Sequence, residues 1–509
     1  MVFDIIIIVV LSFLFLIYLW FKYRFTYWKR KRIPYIKPIV PIGNLKDAGR
    51  TKTIGIRLYE LYKEGKEINY PYVGIFAFFT PSLLAIDIDF IKTILIKDFQ
   101  YFTDRNVYYN ENDDPLSAHL FSIEGVKWKK LRTKMTPTFT SGKMKFMFPT
   151  IATIGERFGD TLESMLWNES IPSKKTLLEM KQLSARYTTD VIGTCAFGID
   201  CNSLKDPKAK FRMIGKKSLE KPRMTVPLRL LSSQFPNFAR KLHIKTEHDD
   251  VSEFFMGALK ETIGFRERND VRRNDFLDIM ISLKNSDNED ERITFEEIAA
   301  QAYIFFLAGY ETSSITLSFC LYELALNEDI QCKARSEITR VLEKYHNILT
   351  YDAVTEMIYV QQIIDETLRK YPPATTLQRK VAEDYKVNDT NDVIEKGRNI
   401  IISIYGIHHD PQYYPDPEKF DPDRFSIENN QKRIPLTYIP FGDGPRNCIG
   451  KRFGKLQTSI GLISLLSRFK FTKSEKTIEP LKFSPKSFIL SPVGGVWLYV
   501  EKIYQSTEL

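Results

Sequence analysis

Residues 441–450 read F-G-D-G-P-R-N-C-I-G, a single cysteine in a loop bracketed by glycines. Arg446 stands two residues before Cys448 and Phe441 seven before it. A thiolate ligand to iron needs such neighbours. Gly444 and Gly450 let the backbone bend closely around the sulfur, in conformations that a Cβ would hinder. Backbone N–H groups beyond the cysteine can point at the sulfur, moderating its charge and tuning the metal. Phe441 can cover the sulfur from water. Arg446 can donate charge-assisted hydrogen bonds to an anionic part of a bound prosthetic group.

A second constellation is Ala308-Gly309-Tyr310-Glu311-Thr312, inside a long apolar helical pattern. Helix interiors disfavour glycine by about 1 kcal/mol relative to alanine, so Gly309 needs a reason. A small residue there lets a flat cofactor and dioxygen approach the backbone. Ala308 and Thr312 are four apart and share a face, so Thr312 can donate a hydrogen bond toward that cofactor while Glu311 replenishes the proton from solvent. A core glycine beside a satisfied threonine explains the pair when it is taken alone; the cysteine loop favours the chemical reading. Trp128 and Arg132 form a further i, i+4 pair, both donors only, and suit an anionic carboxylate.

Together these motifs resemble the cytochrome P450 family, in family order and across nearly the whole chain. The resemblance implies a mainly α fold with small β-sheets, preceded by a single N-terminal transmembrane helix. It implies haem b (iron protoporphyrin IX) ligated by Cys448 as the axial thiolate. Arg446, Trp128 and Arg132 then face the haem propionates, as does Arg379 after the Pro372-Pro373 turn. Phe441, Gly444, Gly450, Ala308 and Gly309 complete the cofactor-binding set, and Glu311 with Thr312 form the oxygen-activating pair. Glu366 and Arg369 of E-T-L-R, with Arg424 of P-D-R-F, match the family's structural Glu–Arg–Arg network. The stretches 135–144, 190–198 and 452–454 look like insect microsomal members associated with foreign-compound metabolism.

The implied reaction inserts one atom of dioxygen into an apolar organic substrate, a xenobiotic or an endogenous lipophile such as a hormone. Electrons come from NADPH through a separate NADPH–cytochrome P450 reductase, with cytochrome b5 as an optional second donor. Lys127, Lys129, Lys130 and Lys134, with Lys451, Arg452 and Lys455, would form the basic face where an acidic flavoprotein docks by electrostatic steering. Selectivity is expected at 105–121, 211–238, Phe305-Phe306, 374–377 and 488–490. A P450-type isomerase or synthase needs no reductase, but Glu311-Thr312 weighs against it. A haem-carrying protein without turnover would leave that pair unused.

Positioning these residues falls mainly to helices. Apolar residues recur at helical spacing over 150–166, 187–195, 254–266, 295–326, 331–345 and 354–370. Short β-like runs occupy 81–88, 399–404 and 496–500. Prolines 411, 415, 417 and 422 forbid a regular helix just before the cysteine loop. The charged stretch 269–292 reads as a surface connection flanking one short helix. Cys195, Cys201, Cys320, Cys332 and Cys448 are odd in number and lack any C-x-x-C pair, which argues against a disulfide framework.

The first 41 residues carry a different signal. Residues 5–21 form an apolar run, followed by Lys22, Arg24, Lys29, Arg30, Lys31 and Arg32. A cleavable leader has its charge before the apolar run, so 1–21 reads as a transmembrane signal anchor. The positive-inside rule places the N-terminus in the lumen of the endoplasmic reticulum and the body in the cytosol. Residues 22–41 read as a basic stop-transfer segment and proline-rich hinge, and 42–509 as one haem-thiolate catalytic domain. Those six cations, less Asp4, make half of the net charge of +10, so the basic balance reflects a membrane anchor and no nucleic-acid partner.

Overall fold

Length and side-chain chemistry separate the first helix from all others. The computed structural model describes residues 2–503 apart from 168–174, 274 and 389. Helix α1 (Val2–Arg24) has 23 residues and none of them is buried. At 1.5 Å per residue it is about 35 Å long, enough for a hydrocarbon core of about 30 Å. The next segment is seated on the body. Phe25, Trp28, Ile33 and Ile36 are buried, Trp28 Nε1 donates to the Ile75 carbonyl at 3.0 Å, and Ile36 N–H donates to that of Gly74 at 2.9 Å. The proline-rich stretch is therefore packed against a sheet, and an aromatic contact between Trp20 and Phe79 (5.6 Å) joins the anchor to the same surface.

The main helices of the body are α2 (Gly125–Met135), α3 (Ser141–Trp167), α4 (Met180–Ile192), α5 (Lys210–Glu220), α6 (Asp249–Asn269), α7 (Phe295–Leu326), α8 (Glu328–Lys344), α9 (Ile358–Lys370) and α10 (Lys451–Leu466). The principal strands are β1 (Tyr72–Ala77), β2 (Thr80–Ala85), β3 (Thr176–Glu179), β4 (Thr376–Lys380), β5 (Asn399–Ser403), β6 (Phe469–Lys473) and β7 (Trp497–Lys502). One sheet runs β1-β2-β5-β4, with β2 and β5 parallel and the other pairs antiparallel. A second runs β3-β7-β6, and residues 385–386 pair with 393–394 in a small third sheet.

Helix α7 is the axis of the molecule. Its start is a capping box: Thr294 Oγ1 accepts from Glu297 N–H at 3.2 Å, and Glu297 Oε2 accepts from Thr294 N–H at 2.9 Å. It is long and apolar enough to cross a bilayer, yet most of it is buried beneath α4, α9 and α10. The helix expected over 354–370 is broken at Met357, whose ψ of 74° ends one turn before α9 begins. Glu337 of α8 supplies the missing cap, accepting from Tyr359 N–H at 2.9 Å and Val360 N–H at 3.0 Å.

Candidate functional site

The cysteine loop is a set of tight turns. Cys448 N–H donates to the Phe441 carbonyl at 2.8 Å, and Asn447 N–H to that of Gly444 at 3.1 Å. Gly444 has φ +72°, and a Cβ there would sit 1.8 Å from the Leu95 carbonyl oxygen. Gly450 differs from its expectation. Its φ is −88°, and the nearest atom to an added Cβ lies 4.0 Å away on Phe305, so no local bend demands a glycine. What Gly450 does supply is an N–H directed at the Cys448 sulfur. Burial pushes the Cys448 thiol up, against that N–H and the charges of Arg105, Arg132 and Lys451. The residue is nonetheless accessible. An accessible sulfur encircled by protein faces an internal space.

Four guanidiniums gather about the cysteine loop, of which Arg105 and Arg132 act on the sulfur itself. Arg379 is buried and its Nη1 donates to the Gln378 carbonyl at 3.0 Å, while Nε and Nη2 have no partner among the described residues. Burial and Arg446 pull Arg379 down to about 10. Arg446 falls to about 10 through burial, against the pull of Asp104 and Glu124. Its fork is already committed: Nη1 donates to the Thr103 carbonyl, Nη2 to that of Ile123 at 2.6 Å, and the group lies 4.7 Å from the Trp128 ring. Arg132 holds the loop itself, donating to the Asn447 carbonyl and to Asn447 Oδ1, each at 2.9 Å. Arg105, which no motif marked, is also lowered, by burial and then by Arg379 and Arg446. Its Nη2 reaches the Arg446 carbonyl at 2.9 Å.

Clustered, partly desolvated cations with unused donors are a costly arrangement unless an anion completes it. A planar group carrying two carboxylates suits the two orphaned nitrogens of Arg379 and the adjacent Arg105. Among the described residues no three His, Cys, Asp or Glu side chains cluster as metal ligands.

Helix α7 forms the facing wall. Ile304, Leu307, Ala308, Gly309, Glu311 and Thr312 are at least partly accessible along an otherwise buried stretch, and all but Gly309 follow the 3 and 4 spacing of one helical face. One expectation needs correction. Phe305 and Phe306 are buried and turn off this face: Phe305 stacks on Phe276 at 4.9 Å, and Phe306 stacks on Tyr310 at 5.5 Å. Ile304 and Leu307 take the places assigned to them. Gly309 also packs closely on a neighbouring helix, where a Cβ would lie 2.4 Å from Ile192 Cδ1 of α4. Its carbonyl accepts from Gln457 Nε2 of α10 at 3.0 Å, and the Tyr310 carbonyl accepts from Thr188 Oγ1 at 2.9 Å. Thr312 Oγ1 donates back to the Ala308 carbonyl. Glu311 pairs with Lys181, 3.2 Å away.

Two further groups complete the surroundings. His119, partly accessible beside Arg105, is pushed down to about 3 by burial and is neutral. Glu366 and Arg369 are fully buried and doubly bonded, at 2.7 and 2.8 Å. Arg424 approaches Glu366 at 3.5 Å and also donates to the Pro415 and Asp416 carbonyls at 2.7 and 3.0 Å. Arg369 Nη1 donates to the His408 carbonyl at 3.0 Å, and Asp421 N–H donates to Glu366 at 3.0 Å. The expected three residues thus meet and hold the proline-rich coil against α9.

Comparison with known proteins agrees with this architecture. The sequence model described as Cytochrome P450 matches residues 33–499. Probable cytochrome P450 6a14 of Drosophila melanogaster is 44% identical over 94% of this chain and 96% of that protein. Cytochrome P450 6a2 of the same fly is 44% identical over 94% and 96%, and cytochrome P450 6A1 of Musca domestica 42% identical over 95% of each. The chain belongs to the cytochrome P450 family and is a haem monooxygenase.

Proposed function

We propose that this monooxygenase inserts one atom of dioxygen into apolar organic compounds, the other leaving as water, with electrons relayed from NADPH by a separate reductase. The observation that carries the site assignment is the accessible Cys448 sulfur near four guanidiniums, three of whose nitrogens (Arg379 Nε and Nη2 and Arg446 Nε) are buried and unpartnered among the described residues. Arg379 and Arg105 would hold the haem propionates, while Arg132 and Arg446 fix the loops on either side. When bound, haem supplies thiolate-supported activation of dioxygen. Ile304, Leu307 and Ala308 form an apolar wall that orients substrate and excludes water. Thr312 holds a proton at its Oγ1 beside that wall, and Glu311 exchanges protons with the solvent side.

Foreign lipophiles or endogenous ones such as hormones fit the apolar wall. Lys129 and Lys451, exposed near the cysteine loop, are suited to steer an acidic reductase, whereas Lys127 and Lys455 are paired with Glu111 and Asp365 at 2.8 Å. With α1 inserted in the endoplasmic reticulum membrane, the basic segment after it puts the body in the cytosol, within reach of the reductase and cytochrome b5.

The test is the carbon-monoxide difference spectrum of the reduced, membrane-expressed protein beside Cys448→Ala. A red-shifted Soret band in the wild type, absent in the variant, is expected. Substrate-dependent NADPH consumption with reductase should follow. A haem spectrum without that band would remove Cys448 as ligand, and turnover without reductase would favour an isomerase.

A further inference from the structure

We propose that Lys181 is a positioning residue for the Glu311–Thr312 pair and ties proton delivery to the loop at 484–491. The inference rests on the monooxygenase reading above and adds a residue that no motif marks. Lys181 is the second residue of α4, and its ammonium lies 3.2 Å from Glu311 Oε1, each side chain 15% exposed. The same ammonium donates to Ser491 Oγ at 2.9 Å. Its backbone is fixed as well: Glu179 Oε1 accepts from Lys181 N–H at 3.1 Å and from Val496 N–H at 2.7 Å. The start of α4 is thereby locked to the chain just beyond the loop.

That loop is a closed hairpin. Ser484 N–H donates to the Ser491 carbonyl at 2.8 Å, and Leu490 N–H donates to the Pro373 carbonyl at 3.0 Å. It therefore joins two stretches expected to meet substrate, 374–377 and 488–490. An ion pair this sheltered is stronger than one in open water, and it holds the Glu311 carboxylate on the α4 side of the cavity-facing stripe. Among the described residues Lys181 is the only cation paired with Glu311. A substrate that moves the loop withdraws Ser491 from the ammonium and changes its hold on Glu311.

The chemical consequence is a branch. Productive turnover converts R–H, dioxygen, two electrons and two protons into R–OH and water. When protons reach the site out of place, the dioxygen, two electrons and two protons leave as hydrogen peroxide and R–H is unchanged. Peroxide formed per NADPH therefore reports on the tether.

The experiment compares full-length wild type, Lys181→Met, Lys181→Arg and Ser491→Ala in reductase-containing microsomes, with an O-alkylated coumarin that raises wild-type NADPH consumption. Carbon-monoxide and substrate-binding spectra should match in all four. Product per NADPH should fall about tenfold in Lys181→Met, a modest share of what a misplaced proton-transfer group costs, with peroxide making up the difference and a changed solvent deuterium isotope effect. Lys181→Arg should recover most of the loss, and Ser491→Ala should fall between. Wild-type coupling in Lys181→Met overturns the proposal, as does an equal loss in Lys181→Arg with Ser491→Ala unaffected. Should Lys181→Met fail to take up haem, Ser491→Ala decides: more peroxide supports the tether, and none refutes it. A wild type with the thiolate spectrum but no NADPH consumption on any O-alkylated coumarin would sink the monooxygenase reading, and the tether with it.

Discussion

Single residues around Cys448 carry unequal weight, and the two glycines of the loop show why. Gly444 combines a left-handed backbone with a Leu95 carbonyl where a Cβ would go. Gly444→Ala should therefore destabilise the loop by about 2–4 kcal/mol, strain and overlap together, and lower haem content on purification. Gly450→Ala, with 4.0 Å of clearance, should retain haem; equal losses in the two variants would contradict this account. In the sequence the two glycines look alike, because one-dimensional spacing does not reveal what stands opposite each position. The same blindness explains Gly309, whose partner Ile192 is more than a hundred residues away, and Arg105, which has no motif and enters the cation cluster only through folding. Cys448, Arg379 and Thr312 stand out in the sequence because their types and neighbours are chemically specific.

Elements act by holding one another, and the clearest case is α9 with the coil at 410–425. Glu366 is fully buried between Arg369 and Arg424. Glu366→Ala would leave those two cations uncompensated, at about 3–5 kcal/mol, so the expected outcome is loss of haem incorporation, read as haem absorbance per protein. A second contact joins α5, the turn before α6, and α7. Glu247 accepts from Ser218 at 2.9 Å, and Ser218 also bonds Tyr303 of α7. Burial, with Asp114 adding to it and Arg229 opposing, raises Glu247 to about 7. Between the ordinary carboxylate value and about 7 the folded state keeps a proton that the unfolded state has lost, so stability falls as pH rises through that window. Glu247→Gln should be about 1–2 kcal/mol more stable than wild type at pH 8 and no more stable at pH 5. Thermal unfolding at the two pH values checks it.

Helical periodicity located most of these elements, including all of α7 from 295 to 326. It ran 354–370 together because the cap that separates its two helices comes from Glu337 on another helix. Analogy with the family assigned Phe305 and Phe306 to substrate selectivity. The accessible face of α7 carries Ile304 and Leu307, because Phe305 packs among Phe139, Phe276 and Phe453 and Phe306 among Phe211, Phe255 and Tyr310. Phase, unlike period, depends on what each side of a helix meets.

For the whole molecule the consequential asymmetry is charge. Half of the net charge belongs to the anchor segment, and Lys129 and Lys451 lie exposed near the cysteine loop. If that face meets an acidic reductase, Lys129→Glu should raise the apparent KM for reductase several-fold at low salt without altering the carbon-monoxide spectrum. The difference should shrink as ionic strength rises and the Debye length falls below about 10 Å. A salt-independent effect would point to misfolding.

The guanidinium cluster has one more consequence, for supply and demand in the cell. Arg105, Arg132, Arg379 and Arg446 crowd together with Asp104 paired to Arg446 at 3.4 Å, a repulsion that a bound dianion would relieve further. A ligand that binds the folded state alone stabilises it by RT ln(1 + [L]/Kd). Haem concentration then sets the folded fraction, and with it the share of chains exposed to proteolysis. A cell short of haem would hold less of this protein at the same rate of synthesis.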